Sequence, residues 1–278
     1  MFDLFKRRGK NSGQNEQNMP MKVEKKTETK TVKGNPPVDV RLPLFYKKLV
    51  PLNRDQHRNL YIKAESGFSF ARETNSVFVA AVEFPQAALE YPVVFAGTPT
   101  GEILPLALLG IRNNQNLFVG EGGVWKARYI PAYVRRYPFI LATDEKGTQF
   151  TVCIDEGYPG FNCDKEGERL ISRDGEDGPQ LKRALEFLKD YQVHIARTTE
   201  FCETLKSLNV LEPIQANVEL KSGEKFALSG LQCVNRTKLK ALPDAQIQML
   251  LKKDYLELIY LHMASLNNIH KLLSLMVA

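Results

Sequence analysis

The sequence has no run of about 18 uncharged apolar residues, the length a membrane-spanning helix needs. Its most apolar segment, near the C-terminus, is interrupted by Asp254, Glu257, His262 and Lys271, so the chain is not expected to be an integral membrane protein. Cysteine is scarce as well. Cys153, Cys163, Cys202 and Cys233 include no pair with the Cys-x-x-Cys spacing of a zinc or dithiol site, which leaves buried free thiols as the expectation. Their even number keeps one or two disulfides open. There is no Gly-rich phosphate loop, no Gly-x-Ser-x-Gly elbow and no His-Glu-x-x-His helix. No catalytic set can be assigned from these absences, and no cofactor is expected. Enzymatic activity stays open, with the balance against it, because a site can be assembled from distant residues.

The basic excess is confined to one end. Of the 38 Lys and Arg and 32 Asp and Glu, residues 1–40 hold nine basic and five acidic side chains, so the remaining 238 residues are nearly neutral. A nucleic-acid-binding fold concentrates its cations on the folded body, and this chain does not. From Gly9 to Pro37 there are almost no aromatic or branched apolar residues. Such a stretch cannot bury enough surface to offset its ordering entropy, so residues 1–40 read as a disordered tail and residues 41–278 as one domain. The start, MFDLFKRR, sets Phe2, Leu4 and Phe5 beside a basic triplet. Contact with an anionic membrane surface is the sharper reading; a solvated tail is the one adopted, because three apolar residues anchor weakly. The charges follow the apolar residues and no apolar core of a signal peptide appears, which points to a cytoplasmic location.

Within the body, one pattern occurs twice. PQAALEYPVVFA (Pro85 to Ala96) and PAYVRRYPFILA (Pro131 to Ala142) share Pro, five residues, Tyr-Pro, three apolar residues and Ala. Each meets a glycine turn at the same offset, at Gly101 and Gly147, and then a second apolar run. Proline suits the first position of a helix, and the residue before a proline leaves helical geometry. Each copy therefore reads as a short helix ending near Tyr91 or Tyr137, followed by a hairpin, with both units in one antiparallel sheet. Arg136 then stands where Glu90 stands in the first copy, as a pairing partner or at the equivalent edge.

The other segments are simpler. Residues upstream of Pro85 suggest short strands with turns at Pro51-Leu52-Asn53 and Thr74-Asn75-Ser76, and the acidic, glycine-rich stretch Gly157 to Gly178 suggests an exposed loop without the spacing of a calcium hand. Leu181, Leu185, Leu188, Tyr191, Ile195, Phe201 and Leu205 recur at helical spacing, predicting one long amphipathic helix. Alternation around Ser222-Gly223 predicts a hairpin, and two helices follow, from Pro243-Asp244 and from about Asp254 to Met276. The order, strands first and helices last, is that of an α+β fold.

The best candidate recognition surface is the aromatic and basic cluster Trp125, Arg128, Tyr129, Tyr133, Arg135, Arg136 and Tyr137, residue types that dominate interface hot spots. Two readings compete for the arginines. They are either the polar face of a short helix whose Tyr133, Val134 and Tyr137 point inward, which is the reading adopted, or a forked clamp for an anion. The four histidines, His57, His194, His262 and His270, suggest no metal site. His262 and His270 would share one side of a continuous helix but lack a third ligand. Asp155 and Glu156 are adjacent on a strand end, so they face opposite ways and cannot act as an acid/base pair. Cys153 lies on the Asp155 face with no histidine nearby in sequence to activate it, and reads as a core residue.

FYKKLVPLNRDQHRNL, FSFARETNSVFVAAVEFPQAALEYPVVFAG, NLFVGEGGVWKARYIPAYVRRYPFILA, CIDE, LEPIQANVEL and IYLHMASLNNIHKL, in this order, resemble the SapC family of bacterial proteins, from about Leu44 to Leu273. The resemblance implies a non-enzymatic binding or assembly protein associated by name with the surface layer, working through a protein partner or self-association. It implies no reaction and no catalytic residues. A near-neutral body with free thiols and no export signal fits a lattice protein only if another route reads a C-terminal signal such as LLSLMVA. The alternative is a cytoplasmic enzyme or small-anion-binding domain using Arg135 and Arg136.

Overall fold

The computed structural model describes residues 42–63, 67–143, 149–214, 216–219, 225–228 and 230–277. The tail expected to be disordered, the Gly147 turn and the Ser222-Gly223 turn lie outside the described residues. The described part is an α+β fold of antiparallel sheets followed by a helical group.

The repeated pattern does form two like units. In the first, α1 (Phe84–Ala87) is entered through Pro85, and the hairpin β4 (Val93–Gly97) and β5 (Ile103–Leu108) follows Tyr91-Pro92. In the second, Pro131 caps α2 (Ala132–Arg135), and β6 (Phe139–Thr143) and β7 (Phe150–Asp155) follow Tyr137-Pro138, whose peptide bond is cis. The expectation of a shared sheet fails. β4 and β5 lie in a five-stranded sheet ordered β10-β13-β4-β5-β3, with β3 (Ser76–Phe78), β10 (Leu211–Pro213) and β13 (Leu231–Val234). β6 and β7 join β1 (Leu49–Pro51) in a separate three-stranded sheet. The recruited strand differs because β1 is tied to the end of β7 by Asp155, which accepts from the backbone N–H of Lys47 and Lys48 at 2.9 and 2.8 Å. Nor do Glu90 and Arg136 pair: Glu90 meets Lys271 at 2.5 Å, while Arg136 is buried elsewhere.

The acidic stretch after Gly157 is more ordered than a loop. β8 (Phe161–Asn162) and β9 (Glu168–Arg169) flank β2 (Tyr61–Ile62) in a small sheet. Its acids meet cations on neighbouring segments: Glu166 with Lys63, Glu168 with Arg183 and Asp177 with Arg54.

The long helix forms as its spacing requires. α3 (Pro179–Ser207) runs about 43 Å at 1.5 Å per residue and buries Leu181, Leu188, Tyr191, Phe201 and Leu205 along one stripe. Its two halves serve two cores. Phe201, Cys202 and Leu205 pack with Phe84, Phe95 and the C-terminal helices, and Leu181 and Leu188 pack with Tyr46, Tyr137, Phe139 and Ile154. Fully burying each such side chain is worth about 1.5–3 kcal/mol. The predicted hairpin is present as β11 (Ala216–Glu219) and β12 (Lys225–Leu228).

The C-terminal helices are more divided than the apolar pattern suggests. α4 (Arg236–Lys240) starts where the Asn235 side chain accepts from the Lys238 N–H, and α5 (Asp244–Lys252) follows. The last helix is broken by a 3₁₀ turn at Leu266–Asn268 into α6 (Tyr255–Ser265) and α7 (Ile269–Val277). Ser265 explains the break: its hydroxyl donates to the carbonyl of His262 at 2.6 Å and accepts from the N–H of Val93 at 2.9 Å, pulling the helix end onto β4. His262 and His270 therefore share no face; His262 is fully buried and His270 exposed.

Candidate functional site

A cleft of about 680 Å³ opens along the seam between the two cores. Trp125 and Val134 on one side belong to the larger core, and Ile62, Tyr137, Phe139 and Tyr158 on the other to the smaller. One turn of α3 after another closes it through Gln180, Arg183, Ala184 and Phe187, which recur at i, i+3, i+4 and i+7 and so share a helix face. Opposite them, Gly122 and Gly123 adopt φ of 63° and 80°, and Gly123 accepts from the N–H of Phe68 at 2.8 Å. The positive φ at both positions favours glycine, and a Cβ on Gly123 would also lie 3.1 Å from the backbone nitrogens of Phe68 and Ser69, so this wall is backbone.

Arg136 is the unusual residue of the cleft. It is only 8% exposed, and its Nε finds no hydrogen-bond partner among the described residues. No ion pair to an acid is formed by it among the described residues either. Its guanidinium instead lies 3.8 Å from the centre of the Tyr133 ring, 5.8 Å from that of Tyr191 and 6.0 Å from that of Tyr46. Burial pushes the Tyr46 and Tyr191 hydroxyls well above their ordinary pKa, so both rings stay neutral against the cation. The Tyr191 hydroxyl is a second buried group without a hydrogen-bond partner among the described residues. Such cation–π contacts offset part of the cost of burying a guanidinium, but they do not satisfy its N–H groups.

Of the residues singled out from sequence, the structure brings five together. Trp125, Arg135, Arg136 and Tyr137 line the cleft, and Tyr133 backs it as the face on which Arg136 lies. Arg128 is exposed and lies outside the lining. The reading of both arginines as a solvated helix face is corrected for Arg136. α2 is only four residues long, so Arg136 falls in the turn after it and is carried inward, while Arg135 stays exposed with Nε donating to Ile130 O at 3.0 Å. Tyr129 and Trp125 are held from behind: Trp125 Nε1 donates to the Tyr91 hydroxyl at 2.9 Å, and the Tyr91 hydroxyl donates to the Tyr129 carbonyl.

Two buried carboxylates fix the site's frame. Glu83, 4% exposed, accepts from the backbone N–H of Ala132 and the Tyr129 hydroxyl through Oε1, and from the Ala80 N–H through Oε2, each at 2.7 Å. Its burial raises its pKa, against the lowering pull of Ala132, Tyr129, Ala80 and Arg135. Asp155 accepts from Lys47, Lys48 and Gly157 backbone N–H groups and, at 3.0 Å, from the Tyr137 hydroxyl. Burial pushes its pKa up, but these four donors outweigh it and hold the carboxyl below the usual range. Both acids are fully engaged with donors and have a structural office. Sequence reading passed over Glu83, and also the residues of α3; the stripe Arg183, Phe187 and Tyr191, four residues apart, was the available signal.

No group of three or more His, Cys, Asp or Glu side chains is placed to hold a metal ion among the described residues. The four cysteines are free, with Cys153 and Cys202 buried, Cys233 half-buried and Cys163 exposed; burial pushes the Cys202 thiol up to about 12. The SapC family model matches residues 52–272. The chain belongs to the SapC family. Neither the curated proteins nor the solved structures contain a match to it. The match covers every residue lining the cleft and the Tyr133 and Tyr191 rings beside Arg136, while Tyr46 lies before it. No helix among the described residues is long and apolar enough to cross a membrane.

Proposed function

We propose that this SapC-family chain is a binding protein that holds a small organic anion in the cleft at Arg136. The observation that carries the reading is the buried guanidinium with an unpartnered Nε and no acid beside it among the described residues: removing a cation from water costs several kcal/mol, and three rings repay only part of it. Among the described residues no Asp or Glu lines the cleft, whereas its walls are aromatic and its volume falls in the range of small-molecule sites. An anion at the Arg136 guanidinium would supply the counter-charge that the described residues do not.

The test is thermal unfolding with a panel of organic anions. A ligand present at about 100 times its Kd adds roughly 2.7 kcal/mol to stability, a shift of several degrees. Arg136→Met should abolish that shift. A shift that persists in the variant would sink the reading.

Family membership favours a second reading, in which the chain works by protein contacts at the bacterial surface layer. Protease treatment of intact cells decides it: cleavage of the chain without lysis supports a surface role, and protection until lysis rules it out.

A further inference from the structure

The charges and rings around the cleft narrow the ligand further. Among the described residues four cations line it: Lys63, Arg135, Arg136 and Arg183. Three are already engaged. Lys63 pairs with Glu166, and Arg183 donates to both carboxylate oxygens of Glu168 at 3.0 and 2.9 Å and to Gln180 Oε1 at 2.7 Å. Arg135 donates to the Ile130 carbonyl, lies 5.0 Å from the centre of the Phe187 ring, and offsets the charge of Glu83. A ligand entering the cleft therefore meets one buried cation without a counter-charge among the described residues. A phosphate monoester would bring a second negative charge into an aromatic enclosure with nothing to balance it. A carboxylate brings one. A free amino acid would bring an ammonium as well, and among the described residues no acid lines the cleft to receive it.

The walls favour a flat body over a chain. Phe70 leans on Tyr137 with ring centres 4.2 Å apart, and Phe68 meets Trp125 edge-on at 5.6 Å, so the cleft presents both ring faces and ring edges. A planar π system gains from such geometry beyond the apolar area it buries, and a saturated chain does not. The glycine wall at Gly122 and Gly123 admits a flat ligand close to the backbone.

We propose that the cleft binds an aromatic monocarboxylate, its carboxylate against the Arg136 guanidinium and its ring system against Phe70, Tyr137 and Trp125. This rests on the anion-binding reading above and names the ligand class. Trp125 is the sole tryptophan of the chain, so its fluorescence reports occupancy of the cleft directly.

The experiment is calorimetric titration of the full chain with benzoate, 2-naphthoate and indole-3-acetate, against 2-naphthyl phosphate and octanoate, with Trp125 emission followed for benzoate and octanoate. At least one aromatic carboxylate should saturate, bind about tenfold or more tighter than the phosphate and octanoate, and lose about tenfold or more in Arg136→Met. Arg136→Lys, which keeps the charge and loses the planar fork, should weaken it less, and the exposed Arg128→Gln should leave it unchanged. Tighter binding of naphthyl phosphate or octanoate, still dependent on Arg136, overturns the ligand class while anion binding survives. Carboxylate binding indifferent to Arg136→Met and Arg136→Lys overturns both. No saturation by any of the three aromatic carboxylates overturns the proposal.

Discussion

Glu83 Oε1 accepts the backbone N–H of Ala132 at 2.7 Å, so an acid at the entrance of the first helix–hairpin unit fixes the start of the helix in the second. The same carboxylate takes the Tyr129 hydroxyl and the Ala80 N–H. Glu83→Ala leaves two buried N–H groups and the half-buried Tyr129 hydroxyl without an acceptor, at about 1–3 kcal/mol for each group left unmade, tempered by whatever water enters the hole. The expected loss is about 3 kcal/mol in urea unfolding. Because α2 carries Arg135 and leads into Arg136, the variant should also weaken anion binding. Full affinity in a destabilised Glu83→Ala protein would separate the acid from the site.

Arg136 should behave in the opposite way. Its guanidinium is buried with an unpartnered Nε, and its compensation is three aromatic rings. Met has a similar length and no desolvation cost, so Arg136→Met should change the stability of the ligand-free chain by no more than about 1 kcal/mol, or raise it. A loss beyond about 3 kcal/mol would show that the cation holds the fold rather than serving a ligand.

How much of this was legible depended on the range of the contact. The doubled Pro…Tyr-Pro pattern gave both helix–hairpin units, because proline fixes local geometry wherever it stands. It said nothing of sheet partners, and β1 and β13 arrive from residues 49–51 and 231–234 to pull the two hairpins into different sheets. Arg135 and Arg136 look equivalent in sequence. Arg136 is buried by Tyr46, ninety residues earlier, and Tyr191, fifty-five residues later, and no local pattern encodes such an enclosure. The single long C-terminal helix was a fair reading of its apolar residues, and it failed at Ser265 because the hydrogen bond that ends α6 comes from β4.

Asp155 makes the strongest structural claim among the polar residues. It is fully buried, and three backbone N–H groups and the Tyr137 hydroxyl converge on it. Asp155→Asn removes the charge and turns an NH2 toward at least one of those donors. Hydrogen bonds to a charged group contribute about 1.5–3 kcal/mol, so a loss of about 3 kcal/mol is expected by urea unfolding at pH 7. The Tyr137 wall of the cleft should loosen with it. Unchanged stability in Asp155→Asn would mean that shape alone ties β1 to β7.

His262 gives the chain an acid sensitivity that can be assigned to one residue. It is fully buried; Nδ1–H donates to the Val93 carbonyl at 2.7 Å and Nε2 accepts from the Val234 N–H at 3.0 Å, so the neutral ring bridges β4 and β13. Burial lowers its pKa from 6.5 to about 4, against the raising pull of the Val93 carbonyl. Between those values the unfolded chain binds a proton that the folded chain refuses. Its contribution is therefore whole above about pH 6.5 and shrinks as the pH falls toward 4. Asp155, whose carboxyl is held below its ordinary 3.8, loses its share only at still lower pH, and Glu83, whose pKa is raised, changes in the opposite sense above 4.5. The comparison that isolates the histidine is with His262→Gln, which does not titrate. From pH 7 to pH 5 the parent should lose about 2 kcal/mol more unfolding free energy than the variant, and parallel pH profiles would mean that His262 takes up its proton without breaking the bridge.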